Sequence, residues 1–225
     1  MINVDPKYAL PPGQFIDEPT HKDLLVLHHT VGGSALSSVE WWKRDPKRVG
    51  TAFIIDRDGQ IYQCFDPNAW AYHLGLKGTN GSVDKRSIGI ELASEGGLIE
   101  KDGVLYCFDR ISQRTAFARL PIESLPITTN HFRNAVYDHG TIWRGAYRYF
   151  CRYGDQQMGS LVWLTNHILD LFPTIPRVTP EWEMVQHPIA YRGVVGHHHF
   201  RKDKTDLHPG FDWKLMMTKC NLTFG

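Results

Sequence analysis

The chain has 225 residues, 25 basic and 24 acidic side chains, and a formal net charge of +1. That length fits one large domain or one domain with a sizeable insertion, and 42% apolar residues suffice to bury a core. The balanced charge gives no electrostatic ground for a nucleic-acid or membrane-surface partner, and no run approaches the roughly eighteen apolar residues of a membrane span.

Residues 1–22, with Pro11, Pro12 and Gly13, read as an irregular lead-in without the basic and apolar regions of a standard signal peptide. LLVLH over 24–28 is a short continuous apolar run, as a strand buried on both faces requires, and Gly32-Gly33 marks the loop after it. SVEWWK over 38–43 predicts a short helix, with Ser37 or Ser38 as N-cap. TAFII over 51–55 and QIYQCF over 60–65 predict a hairpin turning at Asp58-Gly59. SIGIEL over 87–92 reads as another central strand.

The stretch from about 95 to 180 reads as an insertion. Within it, Gly103–Phe108 suits a strand after a Lys-Asp-Gly turn, and aromatics crowd the segment from Phe132 to Tyr153, including Trp143, Tyr147, Tyr149 and Phe150. Core packing is the first reading of those rings, and of the Trp41-Trp42 pair; stacking on sugar faces is the second. Apolar residues at 158, 161, 164, 168, 169 and 172 repeat at a helical period, which Pro173 and Pro176 stop. Val194-Val195 lead into Gly196 and His197–His199, and Trp213–Met217 begins a closing helix. Strands and helices mix, so the expected fold is α/β: one domain over 1–225 with a central mixed sheet flanked by helices.

Cys64, Cys107, Cys151 and Cys220 are far apart and form no CxxC pair. They read as isolated thiols rather than a zinc ribbon, with one or two disulfides left open. The histidines are uneven: twelve in all, five of them at 28–29 and 197–199. A catalytic zinc needs three protein ligands and an open position. The sequence offers His28 or His29 at the end of an apolar strand, then His197, His198 or His199, then Asp206 or His208.

LLVLHHT, GTAFIIDRDGQIYQCFD, AWAYHLG, SIGIEL, VVGHHHF and KTDLHPGFDW occur in that order. Together they resemble the zinc-dependent N-acetylmuramoyl-L-alanine amidases, whose fold is shared with peptidoglycan recognition proteins. The resemblance implies Zn2+ held by His28, His197 and Asp206. It implies a general base at Glu91, an oxyanion-stabilising Lys204, and substrate contacts at His29, Trp70 and His73. It also implies a peptidoglycan or muropeptide substrate, met in the cell wall after release or delivery, or in the cytoplasm. Two departures stand out. Leu207 and His208 delay the Pro-Gly that often follows the third ligand, keeping His208 as a rival. Thr51 occupies the place where some members carry a catalytic tyrosine.

Overall fold

A computed structural model describes residues 1–101, 104–108, 115–121, 136–145, 147–182 and 184–225. The elements follow in chain order as β1 Ile2–Asn3, β2 Leu24–His29, α1 Ala35–Trp42, β3 Phe53–Ile55, β4 Ile61–Gln63, α2 Ser82–Lys85 and β5 Ser87–Leu92. Then come β6 Gly97–Lys101, β7 Val104–Phe108, β8 Thr115–Pro121, β9 Val136–Trp143, β10 Tyr147–Cys151 and α3 Asp155–Leu171. Last are β11 Val178–Thr179, β12 Gly193–Gly196, a 3-10 turn at His197–His199, α4 Trp213–Cys220 and β13 Thr223–Phe224.

Six strands form the central sheet in the order β1-β4-β3-β5-β2-β12. The neighbours β3, β5, β2 and β12 run parallel, and β4 turns back antiparallel to β3, so the sheet is mixed as expected. Both faces of β2 are covered, which is why its first four residues, Leu24–Leu27, are all apolar. Leu25 and Leu27 face the main core, where Met158, Leu161, Leu164 and Ile168 of α3 pack with α4 residue Met216. Leu24 and Val26 face the other side, with Leu74, Val83, Val195 and Phe200. Gln157 of α3 reinforces the first layer by donating to the carbonyls of Ile55 at 3.2 Å and Ala93 at 3.0 Å.

Strands β6 to β10 lie between β5 and α3 in the chain and make a separate antiparallel sheet, ordered β8-β7-β6-β10-β9. Leu98, Leu105, Cys107 and Tyr149 form its own small cluster. A register shift between Tyr147 and Tyr149 breaks the pairing of β10 with β9, the kind of irregularity that re-aims a side chain. Phe150 and Tyr153 are buried, whereas Tyr147 is partly exposed; Phe132 and the turn at 102–103 lie outside the described residues. Trp42 is buried and its neighbour Trp41 is 46% exposed, so the pair divides between core and rim. All four cysteines are buried, and none is in a disulfide.

Helix α1 begins three residues before the expected SVEWWK stretch. Ser34, not Ser37 or Ser38, is its N-cap and accepts from the Ser37 N–H at 3.2 Å. Asp56 fixes that choice from the hairpin, accepting from the Ala35 N–H at 3.2 Å. Among the described residues, no helix is long and apolar enough to cross a membrane.

Because α3 completes the main core, Leu164→Ala should destabilise the whole chain by about 2–5 kcal/mol. Chemical denaturation followed by far-UV circular dichroism checks this. A loss below about 0.5 kcal/mol would mean that α3 is not part of the cooperative core.

Candidate metal centre

Parallel strands present their carboxyl ends at one edge of the sheet, where open α/β sheets hold ligands. His28 is the penultimate residue of β2, paired in register with Glu91 of β5. His197 directly follows β12. Side-chain alternation then sorts the neighbours. His28 lies on the same face as Val26 and as Ser87, Gly89 and Glu91 of β5, while His29 turns to the main-core face. There His29 Nδ1 meets the Tyr153 hydroxyl at 2.8 Å.

The loop after the 3-10 turn returns Asp206 to this edge, with the His198 N–H donating to the Asp206 carbonyl at 2.6 Å. One carboxylate oxygen, Asp206 Oδ2, then stands 3.0 Å from His28 Nδ1 and 3.1 Å from His197 Nδ1. The three ligand atoms of this buried set lie within 4.8 Å of one another.

The protons on the far sides of the two rings decide what meets at the centre. His197 Nε2 is 2.8 Å from the Leu74 carbonyl, which can only accept, so Nε2 carries the hydrogen. For His28 the same conclusion comes through a chain. The Ser87 hydroxyl donates to the Asp84 carbonyl at 2.9 Å. Ser87 Oγ therefore accepts from His73 Nε2, at 2.7 Å. That leaves His73 Nδ1 as the acceptor for His28 Nε2–H, at 2.9 Å. His28 and His197, when neutral, thus both aim bare Nδ1 lone pairs at an anionic oxygen. Three electron pairs converging in a buried site repel unless a cation lies among them, and two imidazoles with a carboxylate form a zinc-type donor set.

The electrostatics agree. Burial pushes His28 down to about 4, against the opposing pull of Asp206, so the ring is neutral near pH 7. Burial likewise drives His73 well below the usual histidine range. Burial alone would raise the Asp206 carboxyl, but His197 and His28 outweigh it and hold it well below the usual carboxylate range.

The rival ligands are engaged elsewhere. His208 is stacked between Phe150 and Tyr153, both rings at 4.8 Å. Its Nε2–H donates to the Cys151 carbonyl at 2.9 Å, and its Nδ1 accepts from the Gly210 N–H at 3.1 Å. His198 Nδ1 accepts from Leu207 N–H and His199 Nδ1 from Gly196 N–H, each at 3.0 Å.

A cavity of about 360 Å³ opens over the triad. Glu91, Lys204, His73, Thr51, Trp41 and Tyr147 are in its wall, with His29 also reaching it. Trp70 is not in that wall; its ring packs edge-on to Tyr72, at 5.3 Å, beside Gly81. Gly89 leaves room for the wall, since a Cβ there would lie 2.7 Å from Thr51 Cγ2 and 3.4 Å from His73 Nδ1. A larger cavity of about 580 Å³ between α3 and α4 shares no lining residue with this one.

Sequence reasoning missed the supporting residues. Asp84 accepts from the His73 and Leu74 N–H groups, both at 2.8 Å, and so fixes the segment that buttresses both ligand histidines. Ser87 was visible only as the first letter of a strand motif. Arg144 comes from the turn between β9 and β10, whose pairing had no sequence signal strong enough to bring it here, whereas Tyr147, one of the aromatics with sugar stacking as a second reading, reaches the cavity wall.

A family model described as N-acetylmuramoyl-L-alanine amidase matches residues 18–210. The N-acetylmuramoyl-L-alanine amidase CwlA of Bacillus subtilis (strain 168) is 30% identical over 83 residues, a stretch that is 36% of this chain and 30% of that protein. Among solved structures, the endolysin amidase LysCS from Clostridium intestinale URNW superposes with a TM-score of 0.52 at 16% identity, covering 99% of this chain and 97% of that one. The amidase AmiD from E. coli, in complex with anhydro-N-acetylmuramic acid-L-Ala-D-gamma-Glu-L-Lys, gives 0.53 at 18% identity, covering 90% of this chain and 58% of that one. At such identities these superpositions establish the shared fold.

If the Ser87–His73 chain sets the His28 tautomer, Ser87→Ala should weaken Zn2+ binding by about 10–100-fold while leaving thermal unfolding nearly unchanged. Competition with a chromophoric chelator measures it. Unaltered affinity would show that the proton on His28 is set by something else.

Proposed function

The chain belongs to the N-acetylmuramoyl-L-alanine amidase family, and from that premise we propose that it uses one Zn2+ to hydrolyse the amide between N-acetylmuramic acid and L-alanine in peptidoglycan. The observation that carries this reading is the convergence of His28, His197 and Asp206 beneath an open cavity that also holds Glu91 and Lys204. We read residues 1–225 as one catalytic domain, with β6–β10 inserted into it.

An unactivated amide is a poor electrophile and neutral water a poor nucleophile. Zn2+ in this donor set would polarise the scissile carbonyl and lower the pKa of water, retaining a net charge near +1. The protein's own residues do the rest. His28, His197 and Asp206 would hold the ion, while His73 and Leu74 hold the two imidazoles. Glu91, beside His28 on the neighbouring strand, takes the proton of the attacking water and returns it to the departing alanine nitrogen. Lys204 faces the carbonyl oxygen as negative charge grows on it. Trp41 and Tyr147 offer aromatic faces to the sugar, a role in which Trp70 has no part because it lies outside the wall. No covalent enzyme intermediate is required. The biological setting that fits is breakdown of the bacterial cell wall by a protein released or delivered to it.

The deciding experiment combines metal content with digestion of purified peptidoglycan, reading products by mass. The expected result is about one Zn2+ per chain and chelator-sensitive release of stem peptides that begin at L-alanine. Cuts inside the stem would make it a peptidase, and wall binding without release a recognition module.

The variants separate the roles. His28→Ala and Asp206→Ala should each lose Zn2+ and activity together. Glu91→Ala should keep Zn2+ and lose about 10²–10⁴-fold in kcat. Near-normal turnover of that variant would remove Glu91 from the mechanism.

A further inference from the structure

The segment from His197 to Asp206 supplies two of the three ligands, yet it contains only a single 3-10 turn. Its own backbone cross-links are turn bonds from the Phe200 and Arg201 N–H groups to the His197 carbonyl, at 3.0 and 3.3 Å, the Lys204 N–H to Arg201 carbonyl bond at 3.2 Å, and the His198 N–H to Asp206 carbonyl bond that closes the loop at 2.6 Å. Several of its carbonyls point away from the central sheet toward the second one. There Arg144, at the turn between β9 and β10, donates to them. Its Nη1 reaches the Arg201 carbonyl at 2.8 Å and the Lys204 carbonyl at 2.9 Å, with Lys202 at 3.4 Å. Its Nη2 reaches the His198 carbonyl at 2.9 Å. A rigid guanidinium fork is the side chain best suited to bind several carbonyls at fixed spacing.

Two features show that the chain is arranged around this contact. Arg144 has φ 51, a left-handed conformation that favours glycine, and it adopts it next to Gly145 at φ 68. The preceding residue, Trp143, lies under the guanidinium at 4.8 Å and against the His198 ring at 6.1 Å. The hairpin therefore holds the arginine on one side and the ligand loop on the other.

We propose that Arg144 is a positioning residue that clamps the 198–204 backbone and thereby fixes His197 and Asp206 relative to each other, making the second sheet a working part of the metal centre. The proposal rests on the metal reading of the triad. Arg144 touches neither the ion nor the reacting atoms; it acts through the loop that carries two ligands and Lys204.

The test is Co2+ titration of the full chain, following the d–d absorption bands and competing the ion off with a chelator. Alongside the parent protein run R144A, R144K and R148A. Arg148 sits in the same hairpin and pairs instead with Asp138, at 2.7 Å, with both side chains exposed. The expected result is about 10–100-fold weaker Co2+ binding and shifted bands for R144A, a smaller loss for R144K, and parent-like behaviour for R148A. Should R144A fail to unfold cooperatively, R144K alone decides, because a single ammonium keeps the charge but cannot serve all the carbonyls that the fork reaches. Parent-like binding and bands in both Arg144 variants would overturn the clamp while leaving the metal reading intact. Equal loss in R148A would also overturn it, by showing that any weakening of the hairpin suffices. A parent protein that binds no Co2+ or Zn2+ would bring down the metal reading itself, and the clamp with it.

Discussion

Two imidazole lone pairs and a carboxylate oxygen brought together in a buried pocket are an unfavourable arrangement until a cation joins them. Most of the structure around the sheet edge serves to impose it. Imidazole can avoid the conflict by moving its proton to Nδ1, and the surrounding groups block that escape. Leu74 offers His197 Nε2 nothing but an acceptor. Asp84, Ser87 and His73 pass a fixed hydrogen-bond direction along to His28 Nε2. The same Asp84 also pins the 73–74 backbone. One buried residue, Asp84, thus acts on both His28 and His197, through its carbonyl and its carboxylate, although it is not among the three converging groups. Such fixed partners on the far side of each imidazole are what keeps reorganisation cost low in a preorganised donor set.

How much of this was legible in the sequence depended on which physical signal each part leaves. The parallel strands β2, β5 and β12 are buried on both faces, so Leu24–Leu27, Ile88–Ile90 and Val194-Val195 appear as short runs without charge just before the residues of interest. Period-two alternation explains why His28 and not His29 faces the site, but only once the strand is placed between β5 and β12. The choice of His197 among three adjacent histidines could not be read from spacing. It follows from the 3-10 turn, which sends His198 and His199 inward to accept from Leu207 and Gly196. His208 was excluded by stacking partners, Phe150 and Tyr153, whose proximity is purely tertiary.

The second sheet left a weaker trace. Its strands carry charged and polar residues among the apolar ones, as in VYDHGTIW of β9, all of whose residues are partly or fully exposed. Alternation breaks at the irregularity between Tyr147 and Tyr149, and a helix-or-strand decision from periodicity fails there. Helix α1 shows the same limit at a smaller scale. Ser34, Ser37 and Ser38 are all competent caps, and the choice among them was made by Asp56 in a different element.

These two kinds of blindness have a common cause. A ligand is a chemically marked residue at the end of a marked strand, whereas a residue that holds a ligand in place is defined by the carbonyls and rings it meets after folding. Arg144 is one arginine among many in the sequence, and although Gly145 marks a turn, nothing in its neighbours announces the carbonyls waiting for it. The triad itself is built from the central sheet and the loop leaving it, elements that the family pattern contains. The backbone of that loop, however, exposes carbonyls that the central sheet does not satisfy, and the second sheet supplies their donor. A long segment that looks dispensable when only ligands are counted becomes part of the centre when hydrogen-bond partners are counted for every buried backbone group.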